Sequence, residues 1–199
     1  KHTSLGEARN CALEKVNGDY ISFLDVDDLW KEEKLAFQVK QMRENPHLIL
    51  SYSFSYEFYH QDLNSKKYVK FSEHKQDKIF FSLMKKNYIN WQTVMIKVDN
   101  EKHTIKFDPQ FEFLEDLDIL LLLSLQGEFG LLKKPLIYCR KHDSNLSLKK
   151  HDMLKERFVI LNKYKKYFTR NKAAFYKIYF HYFAIYLYNK LQYSEKIVN

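Results

Sequence analysis

The sequence predicts an α/β fold, an open sheet flanked by helices, on three observations. The run Tyr20-Ile21-Ser22-Phe23-Leu24 suits a short strand buried on both faces, and it changes at once into Asp25, Asp27 and Asp28 around Val26. β-like runs at 48–54, 94–98, 129–133 and 135–139 alternate with segments of helical period at 5–16, 29–44, 77–86 and 119–125. From Leu148 onward the composition shifts to aromatic residues at helical spacing with lysines between them, which predicts a helical extension.

The totals fit one domain with a real core. The chain has 199 residues, 17% of them aromatic, with only four glycines and three prolines, so disorder is excluded as a general description. A net charge of +8 suits an anionic partner: a nucleotide diphosphate, an anionic membrane surface or nucleic acid. Nucleic acid ranks last, because no zinc-finger, RRM-like or helix-turn-helix pattern accompanies the charge. Cys11 and Cys139 lack metal-ligand spacing and read as reduced, buried thiols, which points to the cytosol. No apolar run is long enough to span a bilayer.

Taken in order, Leu5 to Val16 reads as a helix with Leu5, Ala8, Ala12, Leu13 and Val16 on one face and Gly18 as its stop. Arg9 and Asn10 fall away from that face, and Arg9 reads as a surface arginine pairing with Glu7 or Asp19. Three carboxylates crowded at Asp25, Asp27 and Asp28 repel one another, so they persist most easily around a hard divalent cation. Asp28 has a second reading, as N-cap of a helix over Leu29 to Glu44 with Leu35, Val39 and Met42 inward, ended by Asn45-Pro46.

Leu48 to Phe54 is β-like, and Tyr56 to Tyr59 pairs with Tyr68 to Phe71 across a turn at Gln61 to Lys67. Asp77 to Lys86 is a helix with Ile79, Phe80, Leu83 and Met84 inward, closed by Asn87. Asn90 to Thr93 leads into a strand at Val94 to Val98, and Trp91 is either a core residue or a platform for a sugar ring.

Glu115, Asp116 and Asp118 open the apolar helix Ile119 to Leu125, where the macrodipole favours carboxylates; a carboxylate at a pocket mouth can also take a proton. Phe129 to Lys133 and Pro135 to Cys139 are two short strands. His142 then reads as a solvated loop histidine or, through its imidazole, as a borderline ligand for Mn²⁺. Two helices follow, separated near Thr169 to Lys172. The second has so broad an aromatic face that it must pack on the core, pair with another subunit, or lie on a membrane interface.

Three motifs in order carry a resemblance: Ala8-Arg9-Asn10 through Asp25, Asp27-Asp28 and Trp30; Glu115-Asp116 with Asp118; and Tyr138-Cys139-Arg140-Lys141-His142-Asp143-Ser144-Asn145-Leu146-Ser147. Over Gly6 to Ser147 the chain resembles the GT-A glycosyltransferases of family 2. The resemblance implies a GT-A, Rossmann-like mixed sheet flanked by helices, lacking the N-terminal strands of the nucleotide-base pocket, by truncation or as a natural fragment. It divides the chain into a catalytic part at 1–147 and a helical extension at 148–199.

The resemblance also implies roles. Asp25, Asp27 and Asp28, with His142, would hold Mn²⁺ or Mg²⁺ against the diphosphate of a nucleotide sugar, most simply a UDP sugar. Arg9, Asn10, Arg140 and Lys141 would line the donor, and Trp91 and Gln92 the acceptor, a glycan or lipid-linked hydroxyl. Asp116 would be the general base, with Glu115 beside it and Asp118 structural. The implied reaction inverts the anomeric centre and belongs to bacterial surface polysaccharide or lipo-oligosaccharide synthesis. It would run in the cytoplasm or on the inner face of the membrane, with the C-terminal helices available for membrane contact or homo-oligomer formation.

Two alternatives stay open. One is a GT-like interaction or scaffold domain without catalysis. The other is a haloacid-dehalogenase-type phosphatase, which residues 23–28 also resemble, although such enzymes carry Gly-Thr or Gly-Val where this chain has Asp28-Leu29.

Overall fold

Strand β3 (Leu48–Tyr59) is buried from Leu48 through Ser55 and so takes the centre of the sheet. In the computed structural model, which describes residues 3–60, 62–71, 76–98, 105–143, 145, 150–169 and 171–198, it pairs in parallel with β6 (Glu128–Lys141). Around this pair lie β1 (Tyr20–Ser22), β2 (Leu29–Trp30), β4 (Asp62–Val69) and β5 (Met95–Lys97), all antiparallel to their neighbours. The order is β1-β5-β3-β6-β2, with β4 added to the outer part of β3. The mixed α/β sheet that the sequence predicts is therefore present.

Several elements differ from the sequence expectation. β1 is an edge strand and half-buried throughout, because only β5 flanks it. The two strands expected at 129–133 and 135–139 are one, β6, whose register slips where Phe54 faces Pro135, a residue with no N–H to give the ladder. The hairpin pairs Tyr56 with Tyr68 as expected, yet β4 occupies most of the segment expected as its turn. Its polar sequence suits an exposed edge. His60, with φ 52°, begins the reversal, and Gln61 lies outside the described residues.

Helix α1 (Leu5–Leu13) opens with a capping box between Ser4 and Glu7. Its buried residues are Gly6 and Arg9, whereas Leu5, Ala8 and Ala12 are exposed. Helix α2 (Lys34–Glu44) starts later than expected because β2 comes first, and its N-cap is Glu33, which removes that role from Asp28. It buries Lys34, Gln38 and Met42 while Leu35 is exposed. Gln38 Nε2 donates to the Ser51 and Thr93 carbonyls, and Ser51 Oγ donates to Gln41 Oε1, so a polar seam joins α2 to the sheet. Cys11 is exposed and only Cys139 is buried, against the expectation for both.

Lys34 has no exposed surface; its ammonium lies 3.5 Å from Ser22 Oγ and 4.3 Å from the centroid of the Trp30 ring. Burial lowers its pKa from 10.5 to about 7. Between these values the unfolded chain holds the proton and the native one does not, so stability rises with pH across the window and is lost as pH falls through 7. Lys34→Met is expected to remove that slope and to gain about 1–3 kcal/mol at pH 6, measured by urea unfolding of both proteins at pH 6, 8 and 10.

Helix α3 (Gln76–Lys85) buries Ile79, Phe80, Leu83 and Met84 as expected, and α4 (Glu115–Ser124) is buried along most of its length. The extension forms α5 (Lys150–Tyr164), a short 3-10 turn (Lys165–Phe168) and α6 (Lys172–Val198). Leu154, Ile160, Leu161, Tyr164, Phe168, Ile178 and Tyr182 join the same buried cluster as Leu50, Ile96 and Leu120, so one core serves both. The division expected between 147 and 148 falls outside the described residues.

Candidate active site

The acidic loop leaves the end of β1 and is shaped from three directions. The Asp28 N–H closes a turn on the Asp25 carbonyl at 3.2 Å, and the Asp25 N–H donates to Gln92 Oε1 at 2.9 Å. From β6, the Arg140 N–H donates to Asp28 Oδ1 at 2.8 Å, while Arg140 Nε donates to the Asp27 carbonyl at 2.8 Å. Val26, at the tip, is fully exposed. The loop is therefore held through the backbone of Asp25 and Asp27 and the carboxylate of Asp28, and its three carboxylates are turned toward one another.

They do converge. One oxygen each of Asp25, Asp27 and Asp28 lie within 4.8 Å of one another. Burial pushes the Asp28 carboxyl up to about 6, with the charges of Asp27 and Asp25 adding and the Arg140 N–H opposing. An all-oxygen trio that resists carrying its full negative charge fits a hard divalent cation. His142 Nε2 sits 2.9 Å from Asp27 Oδ2 and its N–H donates to Asn145 Oδ1, which makes it a neighbour of the trio. Ser144, Leu146 and Ser147 of that motif lie outside the described residues.

The second cluster reaches the first through Arg9. Its Nη1 donates to Glu115 Oε1 at 2.6 Å, and its Nη2 lies 3.6 Å from Asp25 Oδ1. The guanidinium sits over the rings of Phe23, Trp91 and Phe107 at 5.8, 5.5 and 5.5 Å. Arg9 is thus a buried bridge, not the surface arginine that its helical phase predicts. Its hydrogen-bonded partner Glu115 lies far along the chain, where a pattern read within one helix has no access to it.

Glu115 is buried, and burial with the Asp116 charge beside it pushes its carboxyl up to about 7 against the pull of Arg9. Arg9→Met would strand that carboxylate, with an expected loss of about 3–5 kcal/mol in unfolding free energy by urea titration at pH 8. Asp116 is half-buried; Oδ1 accepts from the Leu117 N–H at 2.6 Å and Oδ2 from Asn87 Nδ2 at 3.3 Å. Burial raises its pKa, with Leu117, Arg9 and Arg157 opposing. Asp118 is buried and bonded to Lys163 and Tyr164, a structural place.

Five expected site residues are committed elsewhere. Trp91 is buried against Phe23 and Phe107 and floors the Arg9 site, with no open face for a sugar. Gln92 is buried and spends its carbonyl on Asp25. Asn10 exchanges two hydrogen bonds with the backbone of Phe107, each 2.8 Å, which clamps α1 to that loop. Arg140 lies 4.8 Å from the centroid of the Phe58 ring and donates to the His60 carbonyl, so it orients the acidic loop. Lys141 pairs with Glu57 at 3.2 Å.

Sequence reasoning missed Glu156. α4 has no side-chain cap of its own, and the Glu156 carboxylate from α5 accepts the N–H groups of Glu112, Phe113 and Leu114 at 2.7, 3.0 and 2.8 Å. With Lys163 and Tyr164 on Asp118, it makes α5 a brace for the Glu115-Asp116 turn. No spacing within the chain signals this pairing, since the partners lie more than forty residues apart.

The model of the family described as "Glycosyl transferase family 2" matches residues 1–102. An uncharacterized glycosyltransferase of Haemophilus influenzae is 31% identical over 92% of this chain and 68% of its own length. One from Methanocaldococcus jannaschii is 27% identical over 92% of this chain and 64% of its own. The chain therefore spans about two thirds of these relatives. A shorter match, 47% identical over 25% of this chain and 19% of the relative, is to the UDP-Glc:alpha-D-GlcNAc-diphosphoundecaprenol beta-1,3-glucosyltransferase WfaP of Escherichia coli. The crystal structure of S. aureus TarS 1-349 superposes with a TM-score of 0.55 at 18% identity, covering 79% of this chain and 44% of that one. The match along half the chain, and a relative aligned along most of it, establish that this α/β chain belongs to glycosyl transferase family 2, with a GT-A fold.

Proposed function

We propose that the chain carries the catalytic centre of an inverting glycosyltransferase that moves a sugar from a nucleotide-diphosphate sugar, with UDP as the nucleotide, to a hydroxyl acceptor. The observation that carries this reading is the Arg9 bridge, which joins the acidic loop to the Glu115-Asp116 turn across a shared site. Asp25, Asp27 and Asp28, with His142 beside them, would hold Mn²⁺ or Mg²⁺. The bound cation would stabilise the charge growing on the leaving diphosphate.

The remaining work belongs to the chain. Asp116 accepts the proton of the acceptor hydroxyl as that oxygen attacks the anomeric carbon, and a single displacement inverts the centre. Burial holds its pKa above the ordinary carboxylate value, which makes the ionised group a stronger base. Gln92 and Arg140 hold the acidic loop through its backbone, and Glu156 holds the Asp116 turn. In this reading residues 1–147 form the catalytic part, and 148–199 form an extension that braces it.

The named reaction of WfaP, on a diphosphoundecaprenol-linked acceptor, supports a lipid-linked glycan as the acceptor class and a bacterial surface glycan as the product. Such an enzyme would act from the cytoplasm. The test is a thermal melt with UDP, with Mn²⁺ and with both, beside UDP release from a panel of UDP sugars. A ligand that binds only the folded form raises the melting temperature, so the pair together is expected to raise it more than either alone. No shift and no UDP release would overturn the proposal, and phosphate release from phosphomonoesters would favour the phosphatase.

A further inference from the structure

We propose that the outward face of α6 is a docking surface for an anionic lipid bilayer, with the helix lying in the plane of the interface. α6 has 27 residues and is about 40 Å long. Its inward side is taken: Ile178 and Tyr182 are buried, and the Tyr182 hydroxyl lies 2.9 and 2.8 Å from the carbonyls of Met84 and Lys85. The opposite side carries Tyr176, Phe180, Phe183 and Leu187, exposed by 55, 60, 39 and 43%. Their spacing of three and four sets them on one line, with exposed Lys172 and Lys190 at its two ends. Tyr176 and Phe180 have ring centroids 6.4 Å apart, so the stripe is continuous.

Charge selects the occupant. Between Glu156 and Glu195 the sequence has no carboxylate, while Lys165, Lys166, Lys172, Lys177 and Lys190 are exposed. A second copy on the stripe between Lys172 and Lys190 would set lysines against lysines, with no acidic residue in that stretch to pair them as a helical seam requires. An anionic surface neutralises the same lysines while tyrosine and phenylalanine enter the headgroup boundary. No helix among the described residues is long and apolar enough to cross a membrane, so the helix would lie on the bilayer. This inference does not rest on the transferase reading.

The test is co-flotation of the chain with vesicles of phosphatidylcholine and phosphatidylglycerol, against phosphatidylcholine alone. Binding is expected to the mixed vesicles only and to weaken with salt. It should fall about tenfold or more in Phe180→Ser with Phe183→Ser, and again in Lys172→Gln with Lys190→Gln. These side chains are exposed, so circular dichroism and the melting temperature should not change. Absence of binding, equal binding to phosphatidylcholine, or indifference to both double variants would overturn the proposal. So would a dimer by light scattering that the phenylalanine variant dissolves, which would assign the face to a second copy.

Discussion

Replacing Asp27 by asparagine is expected to abolish both Mn²⁺ binding, measured by calorimetry, and UDP release, the latter by roughly 10³-fold or more. Asp27 is the member of the trio with the most at stake, because its carboxylate both joins the three-oxygen cluster and faces His142 at 2.9 Å. Asparagine keeps the shape and loses the charge. The loop backbone is held by Gln92 and Arg140 through Asp25, Asp27 and Asp28 main-chain and carboxylate contacts, so the fold should survive. A variant that still binds Mn²⁺ with parental affinity would remove the trio from the proposed mechanism.

Asp116→Asn should separate chemistry from binding. Turnover is expected to fall about 10²–10⁴-fold, while Mn²⁺ and UDP binding stay at the parental level, since Asp116 lies on the Glu115 side of the Arg9 bridge. The parental pH profile carries a second sign. Burial raises the Asp116 pKa, and the base works only when ionised, so turnover should fall as pH drops through a point above the ordinary carboxylate value. Loss of UDP binding in this variant, or an unchanged rate, would show that Asp116 is not the base.

The convergence of Asp25, Asp27 and Asp28 was legible because an apolar run changes to acid within one residue, whereas Glu115 and Asp116 read in the sequence equally as acids favoured by the helix macrodipole. Arg9 was not legible. Leu5, Ala8 and Ala12 of the stripe assigned to α1 are exposed, and the buried face is set by Gly6 and Arg9, with Arg9 bonded to Glu115 at the start of α4. α2 misled in the same way, since Lys34 and Gln38 are buried while Leu35 is exposed. Polar groups placed inside to hold a site defeat a reading that equates inward with apolar. β4 failed for the opposite reason: an edge strand faces water and reads as a turn.

The Glu156 carboxylate seated on three amides ahead of α4 also bears on how such a chain can evolve. A recombination that exchanged the tail between relatives, but left the turn behind, would unseat the start of the helix bearing Glu115 and Asp116. The two stretches are therefore expected to be inherited as a unit, and chimaeras joined between them to lose turnover even where every residue at the reacting centre is kept.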